Sequence, residues 1–439
     1  MSALIIEGGK PLQGTVKISG AKNSALKVIA AALFSNDDVT LENIPRIGNV
    51  TVDLEIIEAL GGKYEWTGSN KLLINGSGIN TWEIPLELGS KYRTAALYAA
   101  PLVYRFGKAK LPIPGGCKIG LRPMNRWVEA WEALGIEVKS DENYFYLEAK
   151  EPHSATINFK TSTHMGTDNA ILFSMFVPGE TIIANAAEEP EVDDLISFVK
   201  MIGADVERVE ARKIKVVGKN NFTGGTFKVM NDRNEVVTFA VAALATKGNI
   251  VIQGVDRKNL LAFVNMLTNM GAKFDTSTDE MRVWRATEDL LPVDITTAPY
   301  PGFMTDWQPL AVLLLTQANG IGKVRDTVYW DRFGYTKDLN RMGAKIELSR
   351  PSDLGIEPVI SEDIYDIKVQ GEPATIAEVT GPVKLRGSKL SIPDLRAGAT
   401  LILAALAAEG KSEIVGYENV SRGYENFLTK LTDLGAQIT

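Results

Sequence analysis

VDLEIIEALGGKYEW, residues 52–66, is the stretch whose reading decides the fold. Its first nine residues carry an amphipathic helical pattern, its two glycines stop the helix, and KYEW starts a strand-like run. The same punctuation recurs as LGIEVKS around Gly135, IGADVER around Gly203, MGAKFDT around Gly271, MGAKIEL around Gly343 and LGAQIT around Gly435. Counting from Gly61, the first four intervals run 68 to 74 residues and the last is 92. A fixed period of this length marks one supersecondary unit copied along the chain.

A second element keeps the same beat. Ala/Leu-rich helical segments occur at SALKVIAAALF, RTAALYAAPLVYRFG, NAILFSMFVPG, EVVTFAVAALATKG, QPLAVLLLTQANG and ATLILAALAAEG, and five of them run into Gly107, Gly179, Gly248, Gly320 and Gly410. Each is followed by a short strand-like run and then by the amphipathic helix that leads to the glycine tripeptide. Six repeats therefore read helix, strand, helix, strand hairpin.

The first helix of each repeat is apolar nearly all round and should be buried on every side. The expected fold class is α/β, a two-domain inside-out α/β barrel with three repeats per domain in pseudo-threefold arrangement. An ordinary layered α/β fold is the alternative that periodicity leaves open. The last repeat ends at LGAQIT without its hairpin, while LIIEGGKPLQGTVKISG at the start supplies a hairpin with no repeat before it. The first strands are expected to pair with the last. Residues 22–229 would form one domain, and residues 1–21 with 230–439 the other. The long last interval places an insertion of about 20 residues within 349–385, polar and loop-like.

Composition narrows the function classes. The 439 residues are 45% hydrophobic and 23% charged, an ordinary globular balance with ample core. A net charge of −7 argues against broad nucleic-acid binding. PLAVLLL and LILAALAA fall far short of the roughly 18 apolar residues that span a bilayer. The N-terminus shows no basic segment followed by a long apolar one, so no signal peptide is expected. A lone cysteine forms no internal disulfide and suits a reducing cytosol. His153 and His164 are the only histidines, and no Cys/His cluster suggests a metal. No Rossmann or P-loop fingerprint stands in a strand–helix context. The expectation is a cytoplasmic, monomeric protein with no metal, no cofactor, no nucleic acid and no membrane partner.

The chemistry collects in two kinds of place. PIPGGCKIGLRP, residues 112–123, puts Cys117 after two glycines in a proline-bounded loop, with Lys118, Arg122 and Arg126 close by. Cations favour the thiolate, so this thiol has the surroundings of a reactive one; the alternative is a small buried hydrophobe. Just before each apolar helix stand Lys22 and Asn23, Arg93, Asp168 with Asn169, Asp232 with Arg233, Asp306, and Asp394 with Arg396. Helix N-termini carry free N–H groups and suit anions, and the cations strengthen that preference. Asp168, Asp232 and Asp394 read at least as well as helix caps. Asp306 differs because it follows the loop YPGFMT and can face a cleft.

At these residues the chain resembles a known family. KISGAKNSAL (17–26), PGGCKIGLRP (114–123), NAAEEPEVDDL (185–195), YPGFMTDWQ (300–308), DLRAGATL (394–401) and SRGYEN (421–426) are similar to motifs of the UDP-N-acetylglucosamine 1-carboxyvinyltransferases, the enolpyruvyl transferases of peptidoglycan precursor synthesis. The resemblance spans essentially the whole chain. It implies two inside-out domains with the active site between them. It also implies transfer of the enolpyruvyl group of phosphoenolpyruvate to the 3-hydroxyl of UDP-N-acetylglucosamine, with release of phosphate.

Carried over by residue, the resemblance implies that Lys22 and Asn23 contact phosphoenolpyruvate, and that Arg122, Arg396 and Arg422 hold its phosphate and carboxylate. Cys117 would protonate the methylene carbon, form a covalent adduct with the phosphoenolpyruvate unit and be the target of fosfomycin-type alkylation. Asp306 would accept the proton of the sugar hydroxyl. Arg93, Arg122, Pro123, Met124, Asn125, Arg126 and Val328 would lie along the UDP-sugar. An acid and a base on opposite sides of the reacting carbon are what addition–elimination needs.

The chain also departs from the family pattern. After Lys160 it reads TSTHMGTDNA where a shorter Ser-Val-Gly type loop is usual, which adds His164 and Asp168. No proline precedes Asp232-Arg233, and Trp330 stands where a glutamate is common. Two other readings follow: an enolpyruvyl transferase acting on a different nucleotide or sugar, and a catalytically silent UDP-sugar-binding relative.

Overall fold

The computed structural model describes residues 3–114, 124–285, 289–359 and 365–439. The chain separates into two compact bodies, one of residues 20–230 and one of residues 3–19 with 231–439. Each has its own apolar core. At the lower boundary Ser19 N–H donates to Glu235 Oε2 at 2.6 Å, while Ala21 N–H donates to the Met230 carbonyl at 2.8 Å, so neighbouring residues are tied into different bodies.

The six glycines that set the period share one conformation. Gly61, Gly135, Gly203, Gly271, Gly343 and Gly435 all have φ between 70° and 105°. At Gly271 the glycine N–H reaches the Thr268 carbonyl and the following Ala272 N–H reaches Leu267; the same pair of bonds closes the helix at Gly61, Gly203, Gly343 and Gly435. This closure needs a left-handed residue, which glycine adopts without a Cβ penalty. The periodic glycine is thus a helix stop that turns the chain into a hairpin.

Among the described residues of the 20–230 body three sheets form. Strands Lys63–Trp66 and Lys71–Asn75 pair antiparallel, Val39–Glu42 joins them, and Gly225–Lys228 lies parallel at the edge. Lys108–Pro112, Tyr144–Ala149 and Ile136–Ser140 make the second sheet. Asp205–Glu210, Lys213–Val217, Glu180–Ala184 and Thr156–Asn158 make the third. The described residues of the other body also form three sheets. In one of them Leu4–Glu7 pairs antiparallel with both Lys411–Val415 and Gln437–Ile438, the expected pairing of first strand with last.

Helices rich in alanine and leucine fill the interiors. All thirteen residues of helix Arg233–Ala245 and all eight of Gln308–Leu315 are buried, as is Leu395–Ala407 up to Leu406. These three pack against one another and each packs on strands of its own body. A helix apolar all round can be stable in a soluble protein only when it is enclosed in this way. No helix among the described residues is long and apolar enough to cross a membrane.

Two local expectations change and a third is narrowed. The segment RTAALYAAPLVYRFG is not one α-helix: Arg93–Tyr98 is 3₁₀ and Ala99–Phe106 is α-helical. Pro101 has no N–H for the Leu97 carbonyl, and its ring would clash with that carbonyl in a continuous α-helix. Of the five glycines read as stops, Gly107 caps its helix at φ 70°, whereas Gly320 opens strand Gly320–Arg325. The insertion of about 20 residues expected within 349–385 is narrowed to the part before Ile376, because Ile376–Gly381 is a central strand, paired with both Gly320–Arg325 and Lys345–Ser349.

Candidate functional site

Two groups of side chains assemble, one in each body. In the 231–439 body the centre is Asp306, in the 3₁₀ turn Thr305–Trp307 that leads into helix Gln308–Leu315. Its carboxylate takes a guanidinium on each oxygen: Arg332 Nη2 lies 2.8 Å from Oδ1 and Arg396 Nε 3.1 Å from Oδ2. Both arginine side chains are nearly inaccessible, while Asp306 is 26% exposed, so the carboxylate is the part of the trio that meets solvent.

A second carboxylate braces the first. Arg332 Nη1 donates to Thr305 Oγ1 at 3.1 Å, and that hydroxyl donates to Asp326 Oδ2 at 2.6 Å. The other Asp326 oxygen accepts from the Thr297 hydroxyl and from the N–H groups of Val328 and Tyr329. Val328 is therefore held to the same network as Asp306 through Asp326, Thr305 and Arg332. Burial acts to lower the pKa of Arg332, but the carboxylates of Asp306, Asp326 and Asp394 outweigh it and raise it. Burial likewise disfavours the Arg396 cation, and Tyr424, Asp306 and Asp232 reverse this and raise its pKa. Both guanidiniums stay charged without solvent, which suits them to anions.

Arg396 sits in the first turn of helix Leu395–Ala407, whose cap Asp394 accepts from the N–H groups of Arg396 and Ala397 at 2.9 and 3.1 Å. Its guanidinium lies 5.3 Å from the Tyr424 ring centroid. Arg422, two residues before Tyr424, is half-buried, with Nε donating to the Asn419 carbonyl at 3.3 Å. Asp232 caps helix Arg233–Ala245 in the same manner as Asp394, through the N–H groups of Asn234 and Glu235. For these two aspartates capping is the observed role.

In the 20–230 body Lys22 and Asn23 form the first turn of helix Lys22–Ala31, both half-buried. Arg93 opens the 3₁₀ segment packed against that helix, and its guanidinium lies 4.6 Å from the Trp127 ring centroid. Met124 and Arg126 are half-buried and Asn125 is exposed at the start of helix Asn125–Ala133. Cys117, Arg122 and Pro123 lie outside the described residues.

Asp168 is not a cap. Thr163 caps helix His164–Ser174 through Gly166 N–H, and Asp168 lies in the second turn, fully buried against Lys27. A cap requires non-helical backbone at the helix entrance. Here that entrance is Thr163, a full turn before Asp168, which therefore lies inside the helix and points inward.

Arg332 and Lys27 carry these two clusters and were not singled out from sequence. Arg332 stands in DTVYWDRF, where Trp330 draws the eye, and nothing local marks the arginine as a partner of a residue 26 positions earlier. Lys27 interrupts the apolar run that follows Ser24 in its helix, and a cation within that run is the signal that could have found it.

Comparisons with known proteins give the family of the chain. The family model described as EPSP synthase (3-phosphoshikimate 1-carboxyvinyltransferase) matches residues 6–431. A protein of Carboxydothermus hydrogenoformans named UDP-N-acetylglucosamine 1-carboxyvinyltransferase 1 is 38% identical, the match covering 100% of this chain and 98% of that one. UDP-N-acetylglucosamine 1-carboxyvinyltransferase 3 of Caldanaerobacter subterraneus subsp. tengcongensis is 36% identical, covering 100% and 99%. Among solved structures, the enolpyruvyl transferase NikO from Streptomyces tendae superposes with a TM-score of 0.87 at 25% identity, covering 100% and 98%. With the whole length matched at this identity, the chain is a carboxyvinyltransferase and belongs to the UDP-N-acetylglucosamine 1-carboxyvinyltransferase family, within the wider EPSP synthase family.

Proposed function

We propose that this enzyme transfers the enolpyruvyl group of phosphoenolpyruvate to the 3-hydroxyl of UDP-N-acetylglucosamine, releasing phosphate, as the first committed step of peptidoglycan precursor synthesis. The observation that carries the reading is the Arg332–Asp306–Arg396 trio, a base between two buried cations on a chain whose full-length relatives bear that name. Asp306 takes the proton of the sugar hydroxyl as its oxygen attacks C2 of phosphoenolpyruvate. Cys117 gives a proton to C3, so the double-bond electrons end in the new C–H bond. In the second half C2–O cleaves, phosphate leaves with the bonding pair, and loss of a proton from C3 restores the vinyl group.

Arg396 and Arg422, with Lys22, Asn23 and Arg122, neutralise the phosphate and carboxylate of phosphoenolpyruvate. Arg93, residues 122–126 and Val328 line the UDP-sugar. Support for the inside-out, pseudo-threefold arrangement of six repeats comes from the six sheets and from helices buried on all sides. A cytoplasmic monomer acting on two soluble substrates fits the composition.

The test is phosphate release from phosphoenolpyruvate in the presence of UDP-N-acetylglucosamine and a panel of other UDP-sugars and nucleotides. Release that requires UDP-N-acetylglucosamine is expected; release only with another acceptor, or none with any, overturns the reading. Fosfomycin is expected to alkylate the wild-type protein and not Cys117→Asp, read as the mass increment on the intact protein. A mutant labelled to the same extent would place the reactive group elsewhere.

A further inference from the structure

The stretch that departs from the family pattern builds a cluster unused by the roles above. Lys27 lies one turn beyond Asn23 on helix Lys22–Ala31, with its side chain 4% exposed. Its Nζ donates to Asp168 Oδ1 at 2.8 Å and stands 2.6 Å from His164 Nε2. An ammonium has donors only, so His164 must present a lone pair at Nε2 and carry its proton on Nδ1. Within the same turn of the helix, the Ser24 hydroxyl donates to Asp194, which also accepts Met230 N–H at 3.2 Å. The opening turns that carry Lys22 and Asn23 are thus tied to helix His164–Ser174 by one charged contact and to helix Pro190–Met201 by another.

Stability alone gives little reason for such a cluster, because well-packed apolar residues in place of a buried ion pair are often neutral or stabilising. What the charged bonds add is direction: they set how far one helix sits along the other. We propose that Lys27 is a positioning residue for enolpyruvyl transfer, holding Asp168 as a carboxylate and His164 as an Nε2 acceptor so that Lys22 and Asn23 are set at the right height for phosphoenolpyruvate. This rests on the roles given to Lys22 and Asn23 under Proposed function.

The groups facing Asp168 give the cluster a pH signature. They are Lys27 from helix Lys22–Ala31, His164 from its own helix, and Glu189 and Glu191 at the start of helix Pro190–Met201; Asp194 of that helix also acts on Lys27. Burial pushes the Asp168 carboxyl up to about 6 against the opposing pull of Lys27. A carboxyl raised on folding binds its proton more tightly in the folded state, so protonating it as pH falls through about 6 adds to stability. The same proton removes the carboxylate that holds Lys27. Acidification therefore lowers activity through a group whose titration does not unfold the protein.

The experiment compares the wild-type protein with the double variant Lys27→Met/Asp168→Asn, which leaves neither charge buried alone. Kinetic constants for both substrates are followed from about pH 5 to pH 8 alongside thermal melting. The variant is expected to melt close to wild type, to lose about 100-fold in kcat/KM for phosphoenolpyruvate, the loss expected of a misplacement near 1 Å, and to lack the acidic limb centred near Asp168. An active wild type whose double variant keeps both kcat/KM and the acidic limb overturns the positioning role alone, as does a loss of activity that only tracks a fall in melting temperature. A wild type that releases no phosphate with phosphoenolpyruvate and UDP-N-acetylglucosamine overturns the functional reading, and the positioning role with it.

Discussion

Asp306→Asn is expected to lower turnover by about 10²- to 10⁴-fold, the range that general base catalysis contributes, while leaving substrate affinity within a few-fold. The amide keeps the size of the carboxylate but accepts no proton at neutral pH. It also offers one oxygen where the structure requires two, since Arg332 and Arg396 each donate to a separate carboxylate oxygen. One guanidinium must then face an NH₂ group, so a modest rise in the KM for phosphoenolpyruvate is expected beside the collapse in kcat. Phosphate release in a single turnover gives the chemical step, and calorimetric titration with UDP-N-acetylglucosamine gives the affinity. Near-normal turnover in the variant would remove Asp306 as the base, and loss of binding equal to the loss of turnover would make it a structural anchor instead.

The largest expected effect on stability comes from the next residue. Trp307 is 1% exposed, and its indole N–H donates to Asn234 Oδ1 at 3.0 Å. Its ring meets Phe263 and Phe303 edge-on at centroid distances of 6.0 and 5.6 Å. Trp307→Ala should cost about 3–5 kcal/mol for the lost burial and the cavity. It also leaves the Asn234 oxygen without its partner inside the core, which adds to the penalty. A chain with two cores need not unfold in one step, so hydrogen exchange resolved by segment is the suitable measurement. Protection should fall in helices Arg233–Ala245 and Gln308–Leu315 and be retained in helix Lys22–Ala31, whose core is separate. Equal loss in both cores, or none, would contradict this account.

What could be read from the chain follows from how local each signal is. The period was visible because six helices among the described residues end beside a left-handed residue, and glycine is the residue that adopts that conformation cheaply. The enclosed helices were visible because alanine and leucine surround them entirely. Asp306 and Arg396 could be named from the motifs around them, yet their contact joins positions 90 apart, and no pattern announced it. The Lys27–Asp168 pair spans 141 positions, and each member looks unremarkable in its own segment. Asp168 was misjudged because an acidic residue near a helix start resembles a cap until the entrance itself is located. The break at Arg93–Tyr98 came from Pro101, whose effect reaches back into the preceding turn.

The pairing of the first strand with the last has a bearing on how the chain is made. Ile5 and Thr439 exchange both backbone hydrogen bonds, at 2.8 and 2.9 Å, so the sheet holding Leu4–Glu7 is complete only once residues 437–439 have been synthesised. Residues 20–230 have all three of their sheets in hand by Met230 and can condense while the ribosome is still translating the second half. Strand Leu4–Glu7, made long before its partners at 411–415 and 437–438, must stay unpaired throughout that interval. Its four-residue length, Glu7 at its end and Lys10 just beyond keep an exposed edge from recruiting a neighbour in the meantime.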